Sequence, residues 1–237
     1  MTAKQLIRFV AAAAALVGMV LGGMLISSTR ARAQARDEDG LRRAHEEDDE
    51  QSRIQIGFEI APVPLNLSGK DRDLVGLGSY IVNSVAGCND CHSAGPATQY
   101  VGGHNPYFGQ SPKQVNPATY LGGGRDFLAL IPGSAHIVSR NLTPDKTGMP
   151  EGGRSFAQFL LIMRTGVDLD KLHPTCTGAP NANCVPPPFD GSLLQIMPWP
   201  VFQTMTNHDL RAIYEYLSAV PCVAGPPSGE LHNDCPE

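Results

Sequence analysis

Apolar positions recur at helical spacing in three separated stretches of the chain. Leu74, Leu77, Ile81 and Val85 stand at intervals of 3, 4 and 4 residues and predict a first helix from about Asp71 to Val85. Gly78 falls inside that helix, where it costs roughly 1 kcal/mol relative to Ala, so the pattern asks for close approach by another helix. Phe156, Phe159, Leu160 and Met163 share one face of a second helix, with Ser155 as N-cap and Gly166 as its stop. Leu210, Ile213, Tyr214 and Leu217 mark the last helix, opened by Thr206 and Asp209 as an approximate capping box and ended at Pro221. Its stripe is expected to pack against that of the first helix near Gly78. Between these stretches the chain is rich in Gly, Pro, Asn and Gln, notably over 93–121 and 172–191, and reads as elaborated loops.

A fourth apolar run has a different character. Phe9 to Ile26 carries no charge, follows the basic Lys4 and Arg8, and leads to Ala33-Gln34-Ala35, an A-x-A cleavage pattern. Residues 1–35 therefore read as an export signal, with a membrane anchor through 9–26 as the alternative. Residues 36–69 begin with a dense charge run that holds His45 and read as a solvated linker. The folded domain is expected over 70–222, with 223–237 as a tail. Beyond residue 35 the chain has 14 Lys and Arg against 23 Asp and Glu, a formal charge of −9. Nothing in that balance points to the basic stripe of a nucleic-acid-binding protein; it suits plain solubility or a partner with a basic docking face.

The chemistry concentrates in Cys88-Asn89-Asp90-Cys91-His92. This C-x-x-C-H string is the attachment signature of a c-type haem: the thiols form thioethers with the vinyl groups and His92 supplies the proximal nitrogen to iron. A dithiol redox motif needs a βαβ context that the chain lacks, and a zinc site needs a second paired motif, which is absent. Gly87 is placed to end the first helix and deliver Cys88 to the haem edge.

A sixth iron ligand is expected from a methionine or a histidine. Met197 is the first choice, because Pro198 holds it in extended geometry just before the last helix. Met205 and then Met149 follow, while Met163 reads as core on its helix face. His104 and His173 stand in reserve. Trp199 reads as packing on the haem edge or a propionate, Arg125 as pairing with a propionate, and the Pro132 carbonyl as the acceptor for His92. After the haem takes two thiols, Cys176, Cys184, Cys222 and Cys235 remain, an even number that suits an oxidising compartment. Three pairings are open, and nearness in the chain favours Cys176–Cys184 and Cys222–Cys235.

Taken in order, Gly78-Ser79-Tyr80, the haem string, Gly123-Gly124-Arg125-Asp126-Phe127, Asn141-Leu142-Thr143-Pro144-Asp145 with Thr147-Gly148, and Met197-Pro198 form a series. Over about residues 71–221 it resembles the class I cytochrome c modules in the cytochrome subunits of periplasmic alcohol, aldehyde and gluconate dehydrogenases. The resemblance implies an all-α, single-haem class I cytochrome c fold with long loop insertions, and His92 and Met197 as axial ligands. The chain departs from those subunits in having one haem motif rather than three, a longer loop after His92, and the Cys176/Cys184 insertion.

The expected function is thus periplasmic electron transfer by one covalent haem c, without an enzymatic activity of its own. Its partners would be redox proteins: a dehydrogenase, a quinol-oxidising complex or a terminal oxidase. The rival readings are a peroxidase-like haem enzyme or sensor with a labile distal ligand, and a haem relay within a larger membrane-associated complex.

Overall fold

A computed structural model describes residues 40, 42, 46–95, 97–225 and 233–236. The export or anchor segment and His45 lie outside them. The chain divides into two compact units, 1–51 and 52–237. Within the first, residues 46–51 are helical and mostly exposed, and Arg42 pairs with Glu46 at 2.7 Å. Everything below concerns the second unit.

Its core is built on a helix pair. Helix α1 covers 52–60, and helix α2 covers Arg72–Tyr80. Asp71 caps α2, its carboxylate accepting from the amides of Asp73 and Leu74. Part of the expected linker is therefore packed, since Ile54 and Val63 are buried in the core. Two glycines on α2 set the spacing of its neighbours. A Cβ on Gly76 would meet Ile54 of α1, and a Cβ on Gly78 would lie 2.0 Å from the carbonyl oxygen of Ala212. Ala212 belongs to the last helix, α5, Asn207–Ala219, capped by Thr206, whose hydroxyl accepts from the Asp209 amide at 3.0 Å. A buried polar cluster locks the same junction: the Tyr120 and Tyr216 hydroxyls meet at 2.7 Å, and the Asn83 amide donates to Tyr216.

The chain leaves α2 through a π-helical turn, Ile81–Val85. The wider turn carries Val85 out of the apolar stripe, to 67 % exposure, while Leu77 and Ile81 stay buried. Gly87, in the left-handed region at φ 58°, then starts the short helix α3, Cys88–Cys91. Helix α4, Phe156–Thr165, has Ser155 as N-cap in a capping box with Gln158, and Gly166 as its left-handed stop.

The all-α expectation fails. Among the described residues helix accounts for 37 % and strand, with isolated bridges, for 7 %. Strand β1, Asp126–Ala129, pairs antiparallel with β2, His136–Val138, with Asp126 opposite Val138 and Ala129 opposite His136. The Ile131-Pro132-Gly133 turn joins two runs containing Phe127, Ile137 and Val138, residues that favour a pleated surface. At three and four residues, the strands are too short for a period of two to register in the sequence.

Both disulfides are formed as chain nearness suggested: Cys176–Cys184 with Cα atoms 5.1 Å apart, and Cys222–Cys235 at 5.6 Å. They mark an oxidising environment outside the cytoplasm. Among the described residues no helix is long and apolar enough to cross a membrane.

Replacing Gly78 with Ala should force α2 and α5 apart and cost about 1–3 kcal/mol or more. Gly102→Ala, where an added Cβ meets nothing within 4 Å, should stay within about 0.5 kcal/mol of wild type. Chemical denaturation of the two variants checks the contrast.

Candidate haem site

Cys88, Cys91, His92 and Met197 all line one cavity of about 480 Å³, together with Phe159, Ile162, Leu193, Leu194, Ile213 and Leu217. Its size and apolar walls are those of a small-molecule or cofactor site, which typically spans about 300–1,000 Å³. Among the described residues no group of three or more His, Cys, Asp or Glu side chains is placed to hold a bare metal ion.

The wall that carries Cys88 to His92 is held by four backbone-linked contacts. Asn89 accepts from the Leu121 amide at 2.9 Å. Arg125 donates to the Asp90 carbonyl. The Gly123 amide donates to the His92 carbonyl at 3.0 Å. The His92 ring donates from Nδ1 to the carbonyl of Arg140 at 2.8 Å, which leaves Nε2 as its free nitrogen. The acceptor is thus Arg140, not Pro132. Gly123 is what brings that carbonyl within reach, because a Cβ there would sit 2.5–2.6 Å from the Arg140–Asn141 peptide. Its φ of 71° also favours glycine.

The Asn-Leu-Thr-Pro-Asp run explains why Arg140 stays put. Asn141 accepts from the Thr143 amide at 2.9 Å and donates to the Val223 carbonyl at 2.6 Å, while the Val223 amide donates to the Thr143 hydroxyl at 3.0 Å. Cys222–Cys235 and Asn233, which donates to Thr143 and Pro144 carbonyls, clamp this turn from the tail.

Burial lowers the His92 pKa, favouring the neutral imidazole that a metal requires. Burial pushes the Cys88 thiol up to about 12, the reverse of the depressed thiolate that a dithiol redox motif uses. Cys88 and Cys91 are also the two cysteines left out of disulfides.

The other expected residues divide. Met163 lines the cavity alongside Met197, so its buried helix face is also the cavity wall. Met149 and Met205 do not line it, and His104 instead bonds the Pro112 carbonyl at 2.9 Å. Arg125 holds the Cys88–His92 turn, through the Asp90 carbonyl, and does not line the cavity. Trp199 donates to the Leu194 carbonyl at 3.2 Å and lies over Gly166, behind the lining residues. His173 does line the cavity.

Sequence reasoning missed a charged rim formed by Arg140, Glu151, Arg154, Asp168 and Asp170. Arg140 pairs with Asp168 at 2.6 Å and with Asp170, which also pairs with Arg154. Glu151 lines the cavity with a left-handed backbone, φ 53°, next to two glycines. Burial raises its pKa to about 7, against the pull of Arg140 and Arg154, and Asp168 adds to the rise.

These parts fit a covalently attached haem: two thiols and an imidazole on one turn, a thioether from another wall, and apolar sides between them. No protein-family model, curated protein or solved structure matches the chain.

Glu151 gives a pH signature. Its folded pKa is raised, so between about pH 4.5 and 7 the native state holds a proton that the unfolded state has lost. This group should therefore lower stability as pH rises through that window, by up to about 3 kcal/mol. Glu151→Gln should remove that decline, as measured by denaturation midpoints at pH 5 and 8.

Proposed function

We propose that this chain is an exported, single-haem c-type cytochrome that carries one electron at a time between redox proteins and is not itself an enzyme. The observation that carries the reading is the convergence of Cys88, Cys91, His92 and Met197 on one apolar cavity, with the His92 ring already oriented by Arg140. The haem would supply the one-electron iron chemistry.

The chain's own residues then have distinct duties. Cys88 and Cys91 tether the ring through thioethers, so the cofactor survives unfolding. His92 presents Nε2, and its bond to Arg140 keeps the ring in one tautomer and raises its basicity as a ligand. Met197 presents a thioether, a ligand that raises the potential. Phe159, Ile162, Leu193 and Leu217 exclude water, which further favours the reduced, less charged iron.

The disulfides and the signal-like residues 1–35 support a periplasmic location, with 9–26 as an anchor if cleavage does not occur. The formal charge of −9 beyond residue 35 favours a partner with a basic face, such as a dehydrogenase, a quinol-oxidising complex or a terminal oxidase.

Replacing Cys88 and Cys91 together with Ala should abolish covalent haem, read by haem staining of denatured protein on a gel. Retained stain in the double variant would contradict attachment at this string. Met197→Ala should remove the long-wavelength methionine–iron band of the oxidised protein and let the reduced protein bind carbon monoxide. Met163→Ala should keep the band at a packing cost of about 2–5 kcal/mol. Met205→Ala should keep it as well. Loss of the band in the Met163 variant alone would move the distal ligand to α4.

A further inference from the structure

Glu151 lines the cavity, yet carrying an electron on a haem gives it no duty. The turn that presents it is tightly built. Pro150 is buried, Glu151 has φ 53°, and Gly152 and Gly153 follow at φ 67° and 87°. A Cβ on Gly153 would lie 2.7 Å from the Asp145 carboxylate, so the turn packs closely there. The two guanidinium groups nearby are taken, Arg140 by Asp168 and Asp170, and Arg154 by Asp170. Among the described residues the Glu151 carboxyl has no hydrogen-bond partner, and it is not sealed either. The side-chain atoms that are both sealed and unpaired are Ser93 Oγ, His173 Nδ1 and Asn233 Oδ1. A carboxyl wrapped in protein but still reachable by water faces an internal space, and the cavity is the one it lines.

The charges around it balance only when it holds a proton. Arg140 and Arg154 supply two positive charges, Asp168 and Asp170 two negative ones, and an ionised Glu151 adds a third negative. Burial favours the proton and the arginines oppose it, so its pKa of about 7 leaves both forms within reach. From the last helix, Tyr214 donates its hydroxyl to the Arg154 carbonyl at 3.0 Å, and Arg211 lies over the Phe156 ring. His92, His136 and His173 also line the cavity, with His92 tied to the Arg140 carbonyl and His136 to Asp126.

We propose that Glu151 couples a proton to the electron, binding one proton from water when the haem is reduced and releasing it on oxidation. The assignment rests on the cytochrome reading above. The electron comes from the donor protein and takes ferric iron to ferrous; the proton forms one O–H bond on the carboxylate, and no other bond changes. Ferric haem carries one positive charge more than ferrous haem. An ionised Glu151 therefore matches the ferric state and the neutral acid the ferrous state. Between apolar walls that compensation is only weakly screened.

The test is a potentiometric titration of the full-length exported protein at pH 5 and 9. The ionised carboxylate favours ferric iron, so the midpoint potential should fall as pH rises. At fixed applied potential the oxidised-to-reduced ratio should rise by up to about tenfold, or about 59 mV for a one-electron couple. Glu151→Gln, neutral at every pH, should match wild type at pH 5 and keep that potential at pH 9, whereas a purely structural role would shift both ends alike. Reduced-minus-oxidised infrared spectra of wild type at pH 7 should show a gained carboxylic-acid carbonyl band that Glu151→Gln lacks. A wild-type potential that does not change with pH overturns the assignment. So does a wild-type spectrum without the gained band. The same pH dependence in Glu151→Gln overturns it as well, because the proton then binds a histidine or a carboxylate of the haem. Wild-type protein without covalent haem instead overturns the cytochrome reading, and this assignment with it.

Discussion

The hydrogen bond from His92 Nδ1 to the Arg140 carbonyl is the contact on which the site's geometry depends. A ring free to rotate about its χ angles would present either nitrogen, in any direction. Tying Nδ1 to a backbone oxygen selects the tautomer and aims Nε2 at the cavity. That requires residues 48 positions apart to meet within 2.8 Å, and much of the fold serves this one approach. Gly123 removes the Cβ that would keep them apart, its amide bonds the His92 carbonyl, and the Asn141–Thr143 turn holds the acceptor rigid. The short β1–β2 hairpin leads the chain from Gly123 round to Arg140.

The opposite wall is held differently. Helices α4 and α5 contribute Phe159, Ile162, Met163, Ile213 and Leu217, so the apolar stripes that stabilise the helices also line the cavity. The segment carrying Met197 has little regular structure and borrows order from its neighbours. Antiparallel contacts between 166–168 and 192–194 pin one end, through the amides of Asp168 and Leu194. The single turn Trp199–Phe202 pins the other, with Trp199 seated over Gly166. Loss of regular backbone at the Met197 wall is offset by cross-links, and the disulfide-braced insertion extends the same device to the segment around His173.

How much of this was legible in the sequence follows the range of each interaction. Local signals served well: the stripe of Leu210, Ile213, Tyr214 and Leu217 and the caps at Ser155 and Thr206 all act within a few residues. Gly78 was legible because a glycine inside an apolar helical stripe is costly without a close neighbour. The acceptor for His92 was not, since any residue can offer a backbone carbonyl and only the fold chooses which one. Its indirect trace was the Gly122–Gly124 run together with the Asn-Leu-Thr-Pro-Asp turn. The hairpin that breaks the all-α expectation escaped because strands of four and three residues carry no period. The rim of Arg140, Glu151 and Asp168 escaped because its members are scattered in sequence and look like surface charges singly. Arg125 was read as a propionate partner from its type alone, whereas its position ties it to the Asp90 carbonyl.

The central claim is that residues 88–92 carry haem through two thioethers. Mass spectrometry of the proteolytic peptide containing Cys88 to His92, taken from protein exported by cells that assemble c-type cytochromes, tests it most directly. The peptide should carry the added mass of one haem and no thiol open to alkylation. The same peptide recovered without haem, with two alkylatable thiols or a Cys88–Cys91 disulfide, would contradict it.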